Sequence, residues 1–587
     1  MPTQRPNKRR PAAGMTGGEA LAVLLGVLAL LWCAAAVWLS AQLGGTGHGD
    51  PVSWAADRGG TGRWNPAATG WLLLFALLTL FAAAVIGVLA WRWWRGREWT
   101  DALASDMSSR RDFHELTDQA VARDAQRLGC AHAGAGVPVG RAVLTGQNLY
   151  GTYEWSQVWI MGTRAGKTRS VAIPQVLSHR GPVVATENKR DMHNRICGPR
   201  SEMGRVWVND PQQIAHRPPS WWWNPMSFVT NVERAQKLVE IWAAARTTAD
   251  MAGADPYFEP EGRALLANLV MAAALSGEYV TRFPDWLTGF SPRPGVPDPA
   301  EILREHGYRT MAKAVENFLD LNPDQKDGLF GTARSFVRFL ETPEFLPWMA
   351  PTGTDDARPV FEPNAFVRSE ADTLLLLSKD GAGSARALTA ALTAAVYAAG
   401  EEYAETSGGR VPTPILFELD EAANICRWPE LPRLYSHAGS KGLILVVILQ
   451  SAPQGEEAWG ERMFKMMISA ANIFVAGRGI NDGETLSLLA KLIGDRQIAD
   501  RSLSVGTRGH RSTGHQNRDE RILTEADLRA MPRGRAVLFA SGARPVLLGL
   551  RDFTDYPWAP LVAASEAHFG DPDLLAQADS EEENTHA

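Results

Sequence analysis

The sequence predicts an α/β fold with a parallel sheet, interrupted by an all-helical insertion and preceded by two membrane-spanning runs. Three observations carry this. Short apolar runs alternate with helix-compatible stretches from Val158 onward, the pattern of strands covered on both faces. Residues 232–366 show apolar positions at three- and four-residue spacing instead, the period of helices. Two uncharged runs, 20–43 and 71–91, lie ahead of both regions.

Each uncharged run is long enough to cross a hydrocarbon core of about 30 Å, which takes roughly 20 helical residues. Buried core helices rarely stay free of charge for that length. A cleaved signal peptide is the rival for the first run, but the apolar stretch continues past Ala34-Ala35-Ala36 and a second run follows. Arg5, Lys8, Arg9 and Arg10 flank the first run, and Arg92, Arg95 and Arg97 flank the second. The segment between them carries only Arg58 and Arg63 against Asp50 and Asp57. The expected arrangement is therefore a multi-pass protein of the plasma or inner membrane with both termini in the cytoplasm.

The 587 residues suffice for several domains. A net charge of −6 argues against coating nucleic acid by bulk charge and leaves a local basic surface open. The four cysteines form no CxxC pair, which argues against a zinc site or a disulfide framework. Residues 1–97 are expected to be the membrane anchor and 98–137 a juxtamembrane linker. An ATPase domain is expected from 138–231 and 367–560, with the all-α insertion at 232–366 between its parts. An acidic tail is expected at 561–587. Strands are expected at 158–161, 182–186, 373–378, 415–419, 443–449, 473–476 and 536–540.

Val158-Trp-Ile-Met161 leads into Gly162-Thr163-Arg164-Ala165-Gly166-Lys167-Thr168. A loop that cradles phosphate needs backbone N–H groups free to point at oxygens, and a following helix N-terminus adds positive potential. Lys167 would then reach the β- and γ-phosphates of ATP, and Thr168 would hold Mg²⁺. The strict pattern places a further glycine where Met161 stands, and a surface turn that happens to contain Gly-Lys-Thr is the rival. The run Pro414 to Asp420-Glu421 reads as an apolar strand ending in two acids. Asp420 would sit near the Mg²⁺ ion and Glu421 would act as general base toward water. Two acids opening a helix are the alternative. Glu418 interrupts the strand and, if buried, needs a partner. Gln450, at the end of the next strand, could sense the γ-phosphate or orient the water; a polar strand cap is the rival. Arginines 496, 501, 508, 511, 518 and 521 lie in a stretch, 494–523, read as a loop. Contact with a phosphate backbone is one reading. The acids in the stretch and its lack of aromatics suit a solvated loop at least as well. Trp221-Trp222-Trp223 is expected to pack.

In order and spacing these motifs resemble the type IV coupling proteins, the TraG/TraD class of conjugative ATPases. The resemblance rests on Gly162–Thr168, Thr186-Glu-Asn-Lys189, Trp223-Asn224-Pro225, Leu419-Asp-Glu-Ala-Ala-Asn424, Leu449-Gln450-Ser451, and Arg521–Leu528 followed by Pro532–Leu538. It implies a RecA-like P-loop ATPase core, ATP and Mg²⁺ as ligands, and a homo-hexameric ring in the bilayer. It further implies relaxase-bound single-stranded DNA as cargo and inner-membrane components of a type IV secretion system as partners. Where the family often carries a trans-acting arginine this chain has Ser440-Lys441-Gly442, so Lys441, Arg433 and Arg478 are candidates for that role. The alternatives are an FtsK-like double-stranded DNA translocase and a docking receptor whose ATPase core is inactive.

Overall fold

The computed structural model describes residues 66–95, 98–246, 257–288, 295–381, 384–505 and 511–570, with a few positions between 32 and 43. The expected first span lies largely outside the described residues, as does the tail from 571 onward. The chain divides into Met1–Trp99 and Thr100–Ala587.

In the first unit Pro66–Arg95 is one helix of 30 residues. Trp71, Leu73, Leu77, Leu80 and Phe81 on it are exposed. The Trp32 indole N–H donates to Thr79 Oγ1 at 3.0 Å. Among the described residues no helix is long and apolar enough to cross a membrane.

Among the described residues the second unit is built on thirteen strands. They are β1 (Val137–Ala142), β2 (Asn148–Gly151), β3 (Gln157–Ile160), β4 (Val183–Glu187), β5 (Val206–Asn209), β6 (Thr373–Leu377) and β7 (Ile415–Asp420). There follow β8 (Leu443–Leu449), β9 (Ile473–Gly477), β10 (Asp495–Val505), β11 (Arg511–Arg521), β12 (Arg535–Ala540) and β13 (Val546–Gly549). Eleven of them form one sheet in the order β2-β1-β13-β12-β9-β3-β8-β7-β4-β6-β5. Every pairing from β9 to β5 is parallel, whereas β12, β13, β1 and β2 add an antiparallel flank.

The apolar run of β8, Leu443-Ile-Leu-Val-Val-Ile-Leu449, is buried at every position. Its side chains alternate between two hydrophobic layers: Leu445 and Val447 face one, Val446 and Ile448 the other. This is why it reads as continuous rather than alternating hydrophobicity. Between β5 and β6 the described elements are all helical, from Val232–Ala244 through Phe258–Ser276 to Pro363–Phe366. Trp221, Trp222 and Trp223 are all buried. Trp221 packs edge-on against Trp207 and Trp348 at 5.6 Å, an aromatic geometry favoured by the ring quadrupoles.

Three expectations need correction. The region 98–137 is no linker: Phe113, Leu116, Val121 and Ala125 are buried in the fold. The Asp101 carboxylate also takes a two-pronged ion pair from Arg535 of β12, at 2.6 and 2.7 Å. The acidic-tail boundary at 561 falls inside a helix, Ala559–Phe569, that packs on Asp191–Ser201; the Ser565 hydroxyl donates to the Asn194 carbonyl at 2.8 Å. The stretch 494–523 is not a loop but the antiparallel ribbon β10–β11, separate from the main sheet.

Candidate functional site

In a parallel sheet all strands present their C-terminal ends to one edge, and loops leaving neighbouring strands meet there. β3 lies beside β8, and β8 beside β7. The loops after Ile160, Asp420 and Leu449 therefore converge, bringing Lys167, Thr168, Asp420, Glu421 and Gln450 to one place.

The loop is shaped by three local features. Arg164 and Gly166 both have positive φ, at 56° and 92°, a conformation that glycine adopts without strain and other residues seldom do. Gly162 N–H donates to the Arg478 carbonyl at 2.8 Å. A Cβ at Gly162 would lie 2.3 Å from the Gly479 carbonyl oxygen. The close backbone approach thus falls at Gly162, one residue later than the strict pattern puts its first glycine. Met161 instead continues the β3 line, fully buried, with its N–H bonded to the Leu449 carbonyl at 3.0 Å and its side chain over Gly477.

After Lys167 the chain makes a π turn, Thr168–Ala172, before the helix Ile173–Ser178. Pro174 has no N–H to give to an i−4 carbonyl, and a wider turn just before it is one way a helix accommodates the lost bond.

Lys167 is nearly buried, with Nζ 3.8 Å from Glu421 Oε1 and 3.4 Å from the Gly162 carbonyl. The Thr168 hydroxyl donates to Asp420 Oδ2 at 3.0 Å. Asp420 Oδ1 is buried with no hydrogen-bond partner. Burial, followed by the charge of Glu421, pushes the Asp420 carboxyl up to about 6, while Lys167 and Thr168 act in the opposite direction. Glu421 stands at φ 56°, at the start of the short helix Ala422–Ile425. Its two oxygens are held separately: the Gln450 amide donates to Oε1, and the Asn424 amide to Oε2 at 2.9 Å.

Gln450 therefore holds the carboxylate itself, a more specific contact than the sensing role or the strand cap read from sequence. The part played by Asn424 was not foreseen, although it lies one helical turn from Glu421. Glu187 was also missed. β4 pairs Thr186 with Leu419, so Glu187 falls beside Asp420. Its carboxylate accepts from Met192 N at 2.5 Å and His193 N at 3.0 Å. An acid at the end of the neighbouring strand was the available signal.

Glu418 is fully buried, and neither of its carboxyl oxygens has a partner. Burial drives its carboxyl well above the usual range, which keeps it neutral. The neutral form avoids an unpaired buried charge, leaving only the smaller cost of an unbonded polar group in the apolar strand.

The candidates for a trans-acting cation do not join this group. Lys441 pairs with Glu401 at 2.8 Å and Glu405 at 3.8 Å. It precedes β8, whereas Gln450 follows it, so the length of the strand separates them. Arg433 lines a groove with Lys237, Glu240 and Arg263 of the helical insertion. Arg478 is exposed, and its carbonyl accepts from the Gly162 N–H of the nucleotide loop.

The family described as "Type IV secretory system Conjugative DNA transfer" matches residues 111–325. The family described as "TraM recognition site of TraD and TraG" matches residues 414–533. The chain is similar to the conjugal transfer protein TraG of Agrobacterium fabrum, 23% identical over 407 residues that make up 66% of this chain and 58% of the relative. The probable conjugal transfer protein TraG of Sinorhizobium fredii is 22% identical over 403 residues, 66% of this chain and 60% of that one. The chain thus spans about three-fifths of the length of the curated relatives it matches. A solved structure of the bacterial conjugative coupling protein TrwBdeltaN70 shares the fold, with a TM-score of 0.51 at 15% identity over 74% of this chain and 92% of that one. The motifs and these matches together make the chain similar to the type IV coupling proteins of the TraG/TraD class.

Proposed function

We propose that this chain is the ATP-hydrolysing motor that carries single-stranded DNA, bound to its relaxase, to a type IV secretion apparatus during conjugation. The observation that carries this reading is the convergence of Lys167, Thr168, Asp420, Glu421 and Gln450 at one sheet edge. The TraG relatives supply the context of conjugal transfer.

In this reading Lys167 leaves Glu421 and turns to the terminal phosphates. Glu421, oriented by Gln450 and Asn424, takes a proton from the attacking water. The unpartnered Asp420 Oδ1 next to the Thr168 hydroxyl fits a hard divalent cation with oxygen ligands. Thr168 would hold Mg²⁺ directly and Asp420 through its water shell. Bound there, the ion would offset charge on the phosphate oxygens. Met161 and Glu418, the two departures that recommended an inactive core, both have structural accounts that leave the chemistry intact.

The membrane anchor belongs to the same proposal. The helix Pro66–Arg95, its exposed Leu, Phe and Trp side chains, and Arg92, Arg95 and Arg97 at and just past its end suit a span ending at the cytoplasmic face. A homo-hexameric ring in the inner membrane, with a cation reaching each site from a neighbour, completes it. The test is transfer between cells. Deleting the gene, or replacing it with the Lys167→Ala variant, is expected to stop plasmid transfer while chromosome segregation stays normal. Transfer at the wild-type frequency by that variant refutes the reading, and a segregation defect instead favours a double-stranded DNA translocase.

A further inference from the structure

We infer that the Arg164 guanidinium binds the terminal phosphate of the nucleotide held by its own loop. The inference rests on the proposed function, which gives this side chain no task.

Arg164 stands at the corner of a tight turn. Ala165 N–H donates to the Gly162 carbonyl at 3.3 Å, so residues 162–165 close a four-residue turn with Arg164 in third place. Its φ of 56° is the left-handed value that glycine or asparagine normally supplies there. An arginine in that conformation is less stable than a glycine would be, because its Cβ crowds the carbonyl oxygen that follows.

Packing does not explain the choice. Arg164 is exposed, and among the described residues its side chain has no hydrogen bond, ion pair or ring contact. The neighbouring cations are engaged. Lys167 meets Glu421 at 3.8 Å and the Gly162 carbonyl at 3.4 Å, and Arg169 makes a two-pronged ion pair with Asp552 at 2.8 and 2.9 Å. Among the described residues the non-glycine positions with positive φ are Arg164, Gln213, His216 and Glu421. Arg164 and Glu421 both stand at the nucleotide site, and Glu421 is the proposed base. Strained backbone of this kind persists where a side chain is needed in one place. At Arg164 that side chain is a free cation.

The turn also sets which end of the nucleotide Arg164 meets. The carbonyl that closes it, that of Gly162, also accepts from Lys167 Nζ, and the same ammonium faces Glu421 Oε1. The lysine of such a loop reaches the outer phosphates, whereas the backbone N–H groups cradle the inner ones. The turn therefore lies at the outer-phosphate end, on the side of the carboxylate that activates water. Two residues of chain span at most about 7 Å, a distance comparable with the reach of an extended arginine. The planar fork matches phosphate oxygens, and its charge falls where negative charge is spread over the phosphoryl group in transfer. It adds a cation from the chain's own loop to the one that the proposed ring brings from a neighbour.

The experiment measures the affinity of the full-length chain in detergent for ADP and for a non-hydrolysable ATP analogue, each with Mg²⁺, and the thermal midpoint without nucleotide. Samples are diluted until light scattering shows single chains. Arg164→Gly relieves the turn and removes the cation, so its midpoint is expected to rise. Its affinity for the ATP analogue should fall about tenfold, the loss of a charge-assisted contact, while that for ADP stays within about twofold of wild type. Arg164→Lys should recover part of the analogue affinity, because a point charge lacks the fork, and should leave the midpoint at the wild-type value. An unchanged ratio of the two affinities in the glycine variant overturns the assignment while leaving the function standing. A fall in its midpoint shows that the side chain packs, and overturns it as well. A selective loss confined to the assembled form puts Arg164 on a neighbour's nucleotide and contradicts the contact within one chain. A wild-type chain that binds neither nucleotide, diluted or assembled, overturns both readings.

Discussion

The Thr168 hydroxyl donates to Asp420 Oδ2 across a separation of 252 residues, at 3.0 Å. This bond ties the helix after the nucleotide loop to the end of β7, and it leaves Asp420 Oδ1 facing the site without a partner. Thr168→Val keeps the shape of the side chain and removes the hydroxyl. A magnesium titration of ATP turnover should show an apparent affinity at least about tenfold weaker, the scale typical of lost support around a metal. Thr168→Ser should stay close to wild type. An unchanged titration in the valine variant contradicts the metal assignment.

The pH dependence follows from Asp420. Its carboxyl is raised to about 6, chiefly by burial, so it is protonated below that pH and charged above it. Turnover should decline as pH falls from 7 to 5. Since a proton and Mg²⁺ compete for the same carboxylate, more Mg²⁺ should move the decline to lower pH. The ligand-free protein should behave in the opposite sense. A carboxyl that binds its proton more tightly folded than unfolded makes the fold less stable as pH rises from about 4 to about 6. A decline in turnover that ignores the Mg²⁺ concentration would sink the assignment.

Two variants separate the close-approach glycine from the consensus position. Gly162→Ala would drive a Cβ to 2.3 Å from the Gly479 carbonyl oxygen. Backbone cannot move aside cheaply, so nucleotide affinity and the thermal midpoint should both drop. Met161→Gly restores the glycine of the strict nucleotide-loop pattern, yet it removes a fully buried side chain. A cost of about 2–5 kcal/mol in stability is expected, as for other large-to-small core changes. If Met161→Gly raised the midpoint, the packing account would be wrong.

Arg200 is fully buried and, among the described residues, has no carboxylate partner in hydrogen-bond contact. It donates to Thr373 Oγ1 and to the carbonyls of His179, Gly181 and Ala371 at 2.6–2.9 Å. Burial lowers its guanidinium to about 10, still charged at neutral pH. Arg200→Met leaves three buried carbonyls without donors, and a loss of about 3 kcal/mol or more is expected from denaturant unfolding. Arg200→Lys should fall between the two, because an ammonium cannot reproduce the planar fork.

The central strands were legible because burial on both faces writes an unbroken apolar run, as in β6 and β8. The strands that were missed are short and carry other marks. β1 reads Val-Pro-Val-Gly-Arg-Ala, with a proline and a glycine inside it, and β5 is four residues at the sheet edge. The ribbon escaped notice because its strands are rich in charged and hydroxyl-bearing residues and lack a sustained hydrophobic alternation in sequence. At the site, the residue types and their order pointed to Lys167, Thr168, Asp420 and Glu421. The partnership of Gln450 and Asn424 with Glu421 depends on a left-handed turn at a non-glycine residue, which no spacing rule announces. The shift of the close-approach glycine from 161 to 162 depends on Gly479, a residue more than three hundred positions away that sequence spacing could not connect to it.

The central claim is that Glu421 activates the water that cleaves a nucleotide held by Lys167. Glu421→Gln keeps the size of the side chain and removes its basicity. Steady-state ATP hydrolysis by the full-length variant, measured beside its affinity for a labelled ATP analogue, tests this most directly. Binding near the wild-type level with turnover reduced by about 10²–10⁴-fold, the usual share of a general base, is the expected result. Hydrolysis at the wild-type rate would contradict it.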